Sequence, residues 1–457
     1  MKVPEVERSL VQVMDGEWSP VSVIHDYVAD GVQEDPFYVM SLDEVVARYR
    51  RWKELMPRVE PFYAVKCNDD KVLVNTLAAL GAGFDCASKA EMDLVTSLGV
   101  GPDRIIFANP AKMSSHIRRA DALGVHTMTF DSEVELLKVK HVMPHAQLVL
   151  RIRCDATDAQ CPLGMKFGCE PLTEAPRLLK LAALHRLNVV GISFHVGSGA
   201  SETGVYSRAI SLCRALFHQA RQLGHRACRL LDLGGGFPGG THTDIYVSQV
   251  INCALEAHFP GDSVRVIAEP GRYFAAAAYT LATLVHSIRE VGWGAGLHCE
   301  GEEPHTMYFI NDGVYGSFNC ILYDHQQVVA HPLKSAAAPR GSSVWGPSCD
   351  GLDCVLPAVS LPPLALGSWL YFPDMGAYTL PVASPFNGFP VPTVRYVCDR
   401  DVWMMIKDLF PLTSQYFTQE PYSPASSPPS PAAAPSPPAS PAPLAHPAPL
   451  FIECALK

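Results

Sequence analysis

The chain has 457 residues, a formal net charge of −10 and 48% hydrophobic residues. This length predicts more than one folded domain, and the acidic balance without a dense basic stripe argues against a nucleic-acid partner. No apolar run reaches membrane-spanning length and the N-terminal residues lack a signal-peptide core, so we expect no membrane partner. The fourteen cysteines are scattered without paired CxxC motifs, which argues against a metal site and favours a reduced, cytoplasmic protein.

From about residue 37, short β-like runs alternate with amphipathic helical stretches. Ser41 and Ser88, each with Glu three residues later, mark helix starts, and Gly81, Gly99 and Gly124 fall where helices should stop. Eight strands are predicted: Phe62–Val65, Gly83–Ala87, Arg104–Ala108, Thr127–Phe130, Leu148–Ile152, Val189–His195, Arg229–Leu233 and Val264–Glu269. Eight β/α units over residues 37–279 predict a (β/α)8 barrel, with a doubly wound open sheet as the alternative.

The pattern changes after about residue 280. Residues 280–412 contain β-like runs separated by Gly, Pro and Asp rather than by helices, which predicts a mostly antiparallel β domain that residues 1–36 join. Within residues 413–457, the stretch 421–449 is mostly Pro, Ala and Ser and lacks the large apolar residues needed to offset the entropy of ordering. Residues 413–457 are therefore predicted to be a disordered tail, so the fold class is α/β plus β.

The ends of the predicted strands carry residues that can do chemistry. Functional side chains of a (β/α)8 barrel gather at the C-terminal ends of its strands. Lys66 follows the first strand, and a desolvated lysine can form a Schiff base. The other polar residues and glycines at these ends are Asp85, Asn109, Arg151, His195, Gly234, Gly235, Gly236 and Glu269. Each has an ordinary structural explanation alone, but their common face predicts an active site.

Two loops predict a phosphate site. The loops after strands seven and eight commonly bind phosphate in this fold. The first contains the glycines 234–236, whose backbone N–H groups can approach an anion closely. The second contains Gly271 and Arg272, and Ser198 offers a hydroxyl nearby.

A phosphate site facing a strand-end lysine predicts pyridoxal phosphate. Lys66 would hold the aldehyde, Glu269 would keep the pyridine nitrogen protonated, and His195 would lie flat against the ring. Such a strong electron sink suits the loss of CO2 from an amino acid.

Several motifs resemble the eukaryotic ornithine decarboxylase family over roughly residues 10–410. They are Pro-Phe-Tyr-Ala-Val-Lys-Cys-Asn ending at Asn68, Phe-His-Val-Gly-Ser-Gly ending at Gly199, Ala-Glu-Pro-Gly-Arg-Tyr ending at Tyr273, Trp-Gly-Pro-Ser-Cys-Asp-Gly ending at Gly351 and Met-Gly-Ala-Tyr-Thr ending at Thr379. The resemblance implies a pyridoxal-phosphate-dependent decarboxylase with a barrel and a β domain. It implies L-ornithine as the substrate and putrescine as the product.

The resemblance also implies a role for each matched residue. Cys349 would return a proton to the substrate carbon after CO2 leaves, acting with Asp350 in the partner's site, so a homodimer with shared active sites is implied. The implied cofactor contacts are Lys66, Asp85, Arg151, His195, Ser198, Gly234, Gly235, Gly236, Glu269, Gly271, Arg272 and Tyr378. The implied substrate contacts are Tyr323, Asp324 and Asp350.

Two alternatives stay open at this point. Asp324 and Asp350 would meet the distal amine of a diamino acid, but without the resemblance each is an ordinary turn residue. Residues 161–165 and 354–368 diverge from the family, so a paralogue acting on leucine or lysine is one alternative. The other is a non-catalytic antizyme inhibitor, because residues 112–138 resemble the antizyme-binding surface of the family.

Overall fold

The structure, a computed structural model, describes residues 11–157, 159, 161, 163–200, 202–239, 244–291, 305–334 and 337–418. The predicted tail beyond residue 418 lies outside this range. The described chain begins with β1 (Val11–Met14), α1 (Pro20–Tyr27) and β2 (Phe37–Ser41). Among the described residues we find no helix with the length and apolar character needed to cross a bilayer.

Eight parallel strands then close into a barrel in the order β10-β3-β4-β5-β6-β7-β8-β9. The elements are α2 (Leu42–Leu55), β3 (Val59–Ala64), α3 (Lys71–Leu80), β4 (Gly83–Cys86), α4 (Lys89–Ser97), β5 (Ile105–Phe107), α5 (Ser114–Ala122), β6 (Thr127–Phe130), α6 (Glu133–Val142), β7 (Gln147–Arg153), α7 (Glu174–Leu184), β8 (Asn188–His195), α8 (Gly204–Gln222), β9 (Leu230–Asp232), α9 (Asp244–His258), β10 (Arg265–Ala268) and α10 (Arg272–Ala275). The predicted barrel is confirmed, and the pairing of β10 with β3 excludes the open sheet.

Local sequence explains where several barrel helices begin and end. Ser41 Oγ accepts from the Glu44 N–H over 3.2 Å and Ser88 Oγ accepts from the Glu91 N–H over 3.3 Å, so each serine satisfies a backbone donor at a helix start. Gly81 follows α3 with φ +97°, a left-handed conformation that glycine adopts without steric cost.

A second domain follows the barrel. Its elements are β11 (Tyr279–Val291), β12 (His305–Ile310), α11 (Asn319–Tyr323), β13 (His331–Pro332), β14 (Arg340–Trp345), β15 (Cys354–Leu361), β16 (Trp369–Phe372), β17 (Thr393–Asp399), α12 (Arg400–Ile406) and β18 (Phe417–Thr418). Among the described strands, five pairings are antiparallel and four are parallel, so the predicted β domain is confirmed as a mixed sheet.

Two strands lie near the predicted domain boundaries. The strand β2, placed by sequence at the start of the barrel, pairs with β11 and β17 of the mixed sheet. It runs directly into α2 with no linker, which left no sequence signal for a boundary. The strand β18, which lies within the predicted segment 413–457, pairs with β1 at the sheet edge.

Candidate active site

Lys66 lies just beyond the C-terminal end of β3. Residues 65–67 form a single 3-10 turn after the strand. Lys66 Nζ makes an ion pair with Asp85 Oδ2 of β4. Enclosure by protein lowers the pKa of Lys66, but the carboxylates of Asp85 and Glu269 outweigh this effect and raise the pKa above its usual range. The lysine is therefore a positioned cation.

A cavity of about 380 Å³ opens beside this lysine. It brings together eight of the residues that the sequence predicted as site residues, namely Lys66, Arg151, His195, Ser198, Glu269, Tyr323, Asp324 and Tyr378. Asn109, which the sequence placed after the third strand, lines it as well. The prediction that these strand-end residues share one face is thus consistent with their positions in the folded chain.

Sequence reasoning missed part of the cavity wall. Cys161, Leu163 and Phe167 from the loop after β7 line it, as does Val382. Cys161 and Ser198 exchange two backbone hydrogen bonds of 3.1 and 3.0 Å, which hold this loop over the cavity. The only sequence signal was the position of the loop at the C-terminal end of a barrel strand.

His195 ends β8 with its ring held by the backbone. The Gly197 N–H donates to His195 Nδ1 over 3.0 Å. Burial, together with the nearby charges of Arg151 and Lys66, places the pKa of His195 well below its usual value. The imidazole is therefore neutral at physiological pH, with Nδ1 as acceptor and Nε2 carrying the hydrogen.

Two carboxyl groups lie at the ends of neighbouring strands. Burial raises the pKa of Asp232 from 3.8 to about 6, and burial with the charges of Asp232 and Asp85 raises the pKa of Glu269 well above its usual value. The Gly234 N–H donates to Asp232 Oδ1 over 2.9 Å. A cationic group in the cavity beside Glu269 would relieve this charge crowding.

The glycines 234–236 approach other backbone too closely to carry side chains. A Cβ on Gly234 would lie 2.0 Å from Phe194 O, and one on Gly236 would lie 2.6 Å from Gly197 O. A Cβ on Gly235 would lie 2.7 Å from His195 Nε2. The loop therefore places bare backbone against His195, which lines the cavity, and an anion cradle requires such bare backbone.

Arg272 opens α10 on the far side of this loop. Its Nη2 donates to Ser198 Oγ over 2.7 Å and to Asp324 Oδ1 over 2.8 Å, and its guanidinium carbon lies 5.2 Å from the Tyr378 ring centre. Its Nε is buried and has no hydrogen-bond acceptor among the described residues. A phosphate oxygen would satisfy that donor. Gly271 packs directly on Cys67, where a Cβ would lie 2.9 Å from Cys67 Cβ.

The remaining predicted residues differ in their placement. Tyr323 is 70% exposed at the mouth of the cavity, whereas Asp324 is buried. Cys349 and Asp350 are not among the described residues that line the cavity: Cys349 is exposed, and Asp350 accepts a hydrogen bond from the Tyr315 hydroxyl.

These features fit pyridoxal phosphate. The Lys66 amine and the Glu269 carboxyl line one cavity. The glycine loop packs against His195 of the same cavity, and Arg272, whose Nε is unsatisfied, bonds to the cavity residues Ser198 and Asp324. Together they provide an aldehyde anchor, a phosphate site and a partner for a pyridine nitrogen.

Comparison with known proteins agrees with this geometry. Residues 42–276 match the family model described as the pyridoxal-dependent decarboxylase, pyridoxal binding domain. The chain is 47% identical to ornithine decarboxylase of Rattus norvegicus over 84% of its own length and 85% of that protein. It is 46% identical to antizyme inhibitor 2 of Xenopus laevis over 83% of its own length and 85% of that protein.

A solved structure gives the same result. The arginine decarboxylase of Paramecium bursaria Chlorella virus bound to agmatine is 38% identical, with a TM-score of 0.77 over 82% of this chain and 100% of that chain. The chain therefore belongs to the pyridoxal-dependent decarboxylase family.

Proposed function

We propose that this protein is a pyridoxal-phosphate-dependent decarboxylase that converts L-ornithine to putrescine and CO2, the reaction class that supplies polyamines. The observation that carries the proposal is that Lys66, Glu269 and Asp324 line one cavity, with Arg272 bonded to Asp324. Pyridoxal phosphate, when bound, withdraws the electron pair left behind by CO2. The protein's own residues would bind and orient the cofactor and supply the proton that replaces CO2.

The residues of the cavity have separate proposed roles toward the cofactor. Lys66 would hold the cofactor aldehyde, and Asp85 keeps the amine in position by an ion pair. Glu269 would keep a proton on the pyridine nitrogen, because a carboxylate is stabilised beside a cation in a buried site. His195 would offer its neutral ring to the cofactor, and Arg151 lines the same cavity.

The phosphate is held by groups from two loops and the mixed sheet. Backbone N–H groups of the glycines 234–236 and of Gly271 provide donors, and Arg272 adds a guanidinium. Ser198 and Tyr378 complete the set through their hydroxyl groups. The Tyr378 N–H donates to Cys67 O over 2.9 Å, which ties the sheet loop to the turn that carries Lys66.

Substrate choice depends on a buried carboxylate. Asp324 lies 5% exposed in a cavity whose other walls include Leu163, Phe167 and Val382. An apolar channel that ends in a carboxylate suits an aliphatic chain with a terminal amine, whereas a neutral side chain offers that carboxylate no positive charge. Ornithine fits this description, and lysine differs from it by one methylene group.

Catalysis is completed by a second subunit. Cys349 and Asp350 belong to an exposed loop that this chain does not direct into its own cavity. We propose a homodimer in which each subunit supplies Cys349 Sγ as the proton donor and Asp350 as a second amine contact to the other subunit's site. Tyr323 at the cavity mouth lies where such a loop would dock.

The substrate proposal is tested with purified protein and single amino acids. CO2 and amine formation are measured with ornithine, lysine, arginine and leucine as substrates. We expect putrescine from ornithine, with lysine weaker and leucine inactive. Lys66→Ala should abolish turnover, and Lys71→Ala, which removes an exposed lysine of α3, should leave it unchanged. A preference for leucine would overturn the assignment of ornithine.

A second candidate function rests on the likeness to antizyme inhibitor 2 of Xenopus laevis. Residues 112–138, which span α5, β6 and the start of α6, would form the antizyme-binding surface. The same assay separates the two functions, because a non-catalytic inhibitor would bind antizyme and release no CO2 from any substrate. We place the protein in the cytoplasm, a location that suits the unpaired thiols of its twelve described cysteines.

A further inference from the structure

Two histidines and an aspartate meet on the surface of the barrel, away from the cavity. Asp121 lies in the last turn of α5, His126 immediately precedes β6, and His145 lies two residues before β7. His145 Nε2 is 3.0 Å from Asp121 Oδ1, and the two imidazole rings are 5.0 Å apart with an interplanar angle of 88°. One donor atom from each of the three side chains lies within 4.8 Å of the others.

The backbone around these residues is fixed by hydrogen bonds. The Gln147 N–H donates to His126 O over 2.9 Å, which joins the segments that carry the two histidines. The Val125 N–H donates to Ala120 O over 2.9 Å, which ties the His126 segment to the end of α5. The three side chains therefore project from a rigid frame, and small rotations about their side-chain bonds are enough to change their separation.

We propose that Asp121, His126 and His145 form a binding site for a zinc-class divalent transition-metal ion. Two imidazoles and a carboxylate are ligands that Zn²⁺ accepts, at about 2.0–2.2 Å from the metal. Tetrahedral ligand atoms at that distance from a metal lie roughly 3.3 Å from each other. The three ligand atoms, which lie within 4.8 Å of one another, therefore need to move only slightly closer together. Three protein ligands leave the fourth position to water.

The position of the cluster indicates a structural role for the ion. His126 and His145 precede their strands, so they lie at the N-terminal end of the barrel. Lys66 follows β3 and His195 is the last residue of β8, so both lie at the C-terminal end. A metal ion here would connect α5 to β6 and β7 without contacting the reacting groups. The cysteine pattern of the sequence did not indicate this metal site, because none of the proposed ligands is a cysteine.

The proposal predicts a difference in zinc binding between variants. Holoenzyme is stripped of metal with a chelator, and bound Zn²⁺ is counted by equilibrium dialysis while thermal unfolding is followed with and without Zn²⁺. His126→Ala and His145→Ala should each lose one zinc equivalent relative to the parent, and their unfolding temperature should no longer rise with Zn²⁺. Zinc held by the cysteines is common to all variants and cancels in the difference.

His218→Ala is the matched control, because His218 is exposed on α8 and contacts Gln222 rather than the cluster. This variant should bind as many zinc equivalents as the parent, and Zn²⁺ should raise its unfolding temperature as it does for the parent. His126→Gln and His145→Gln preserve size and polarity and replace the alanine variants if either of those unfolds.

If the histidine variants retain the parent's zinc stoichiometry and its zinc-dependent unfolding temperature, the metal site does not exist, and the contact of Asp121 with His145 is an ordinary surface pair.

Discussion

Arg272 and Asp324 form an ion pair across the candidate active site, with Nη2 and Oδ1 2.8 Å apart and both side chains nearly buried. The same guanidinium is the proposed phosphate ligand, and the same carboxylate is the proposed contact for the substrate amine. Cofactor phosphate and Asp324 therefore compete for one cation. When phosphate occupies Arg272, the carboxylate becomes available to the substrate, so cofactor binding favours substrate binding.

The Asp324→Asn variant tests this competition. Removing the negative charge should tighten pyridoxal phosphate binding to the cofactor-free protein by on the order of tenfold, since hydrogen bonds to charged groups contribute about 1.5–3 kcal/mol. The measurement is an absorbance titration of the cofactor. Ornithine turnover should fall in the same variant because the amine loses its carboxylate. Tyr323→Phe, which alters the cavity mouth but leaves Arg272 untouched, should bind the cofactor as the parent does. Weaker cofactor binding by Asp324→Asn would contradict the competition.

The glycine loop can be tested by adding a single methyl group. A Cβ on Gly235 would lie 2.7 Å from His195 Nε2 and 3.0 Å from Glu269 O, so Gly235→Ala must displace the histidine ring or the loop. We expect pyridoxal phosphate affinity to fall by about tenfold or more, equivalent to about 1.4 kcal/mol. Gly204→Ala is the control, because no atom lies within 4 Å of its added Cβ. Equal affinity in the two variants would show that the loop does not contact the cofactor.

Sharing of the active site between subunits can be tested by mixing inactive variants. Lys66→Ala and Cys349→Ala are each expected to be inactive. If the two residues act from different subunits, a mixed dimer has one intact site, and random mixing restores about a quarter of parental activity. A mixture of Lys66→Ala with Glu269→Ala should restore nothing, since those residues line the cavity of one chain. Failure of the first mixture to recover activity would place Cys349 in its own subunit's site.

The buried carboxyl of Asp232 makes stability depend on pH. Burial raises its pKa from 3.8 to about 6, so the unfolded chain releases this proton at lower pH than the folded chain does. The contribution of Asp232 to the stability of the cofactor-free protein is therefore constant below about pH 4, decreases as pH rises toward about 6, and then levels off.

Asp232→Asn removes this ionisation while its amide oxygen can still accept from the Gly234 N–H. Urea unfolding between pH 4 and 7 should show a smaller loss of stability in the variant than in the parent, with a difference of at most about 3 kcal/mol. Asp262→Asn at an exposed position should behave like the parent. A variant whose stability follows the parental pH profile would rule out Asp232 as the source.

Several site residues were predictable because their signals are local. Lys66 and His195 were predicted from their strand-end positions, and the glycines 234–236 from their place in the loop after the seventh predicted strand. The loop residue Phe167 was missed, since its place in the cavity wall depends on how the loop folds back after β7. No periodicity in that loop indicates which of its side chains point inward.

The sequence by itself determined the eight alternating β/α units, the polar face at their strand ends and the positions of the two loops proposed to bind phosphate, because hydrophobic periodicity and turn residues act over short stretches of chain. Only the tertiary structure decided that β2 joins β17 across more than 350 residues, that Arg272 bridges Ser198 and Asp324, and that His126 and His145 share one surface. These are contacts between distant segments, and barrel closure and sheet pairing set them rather than local pattern.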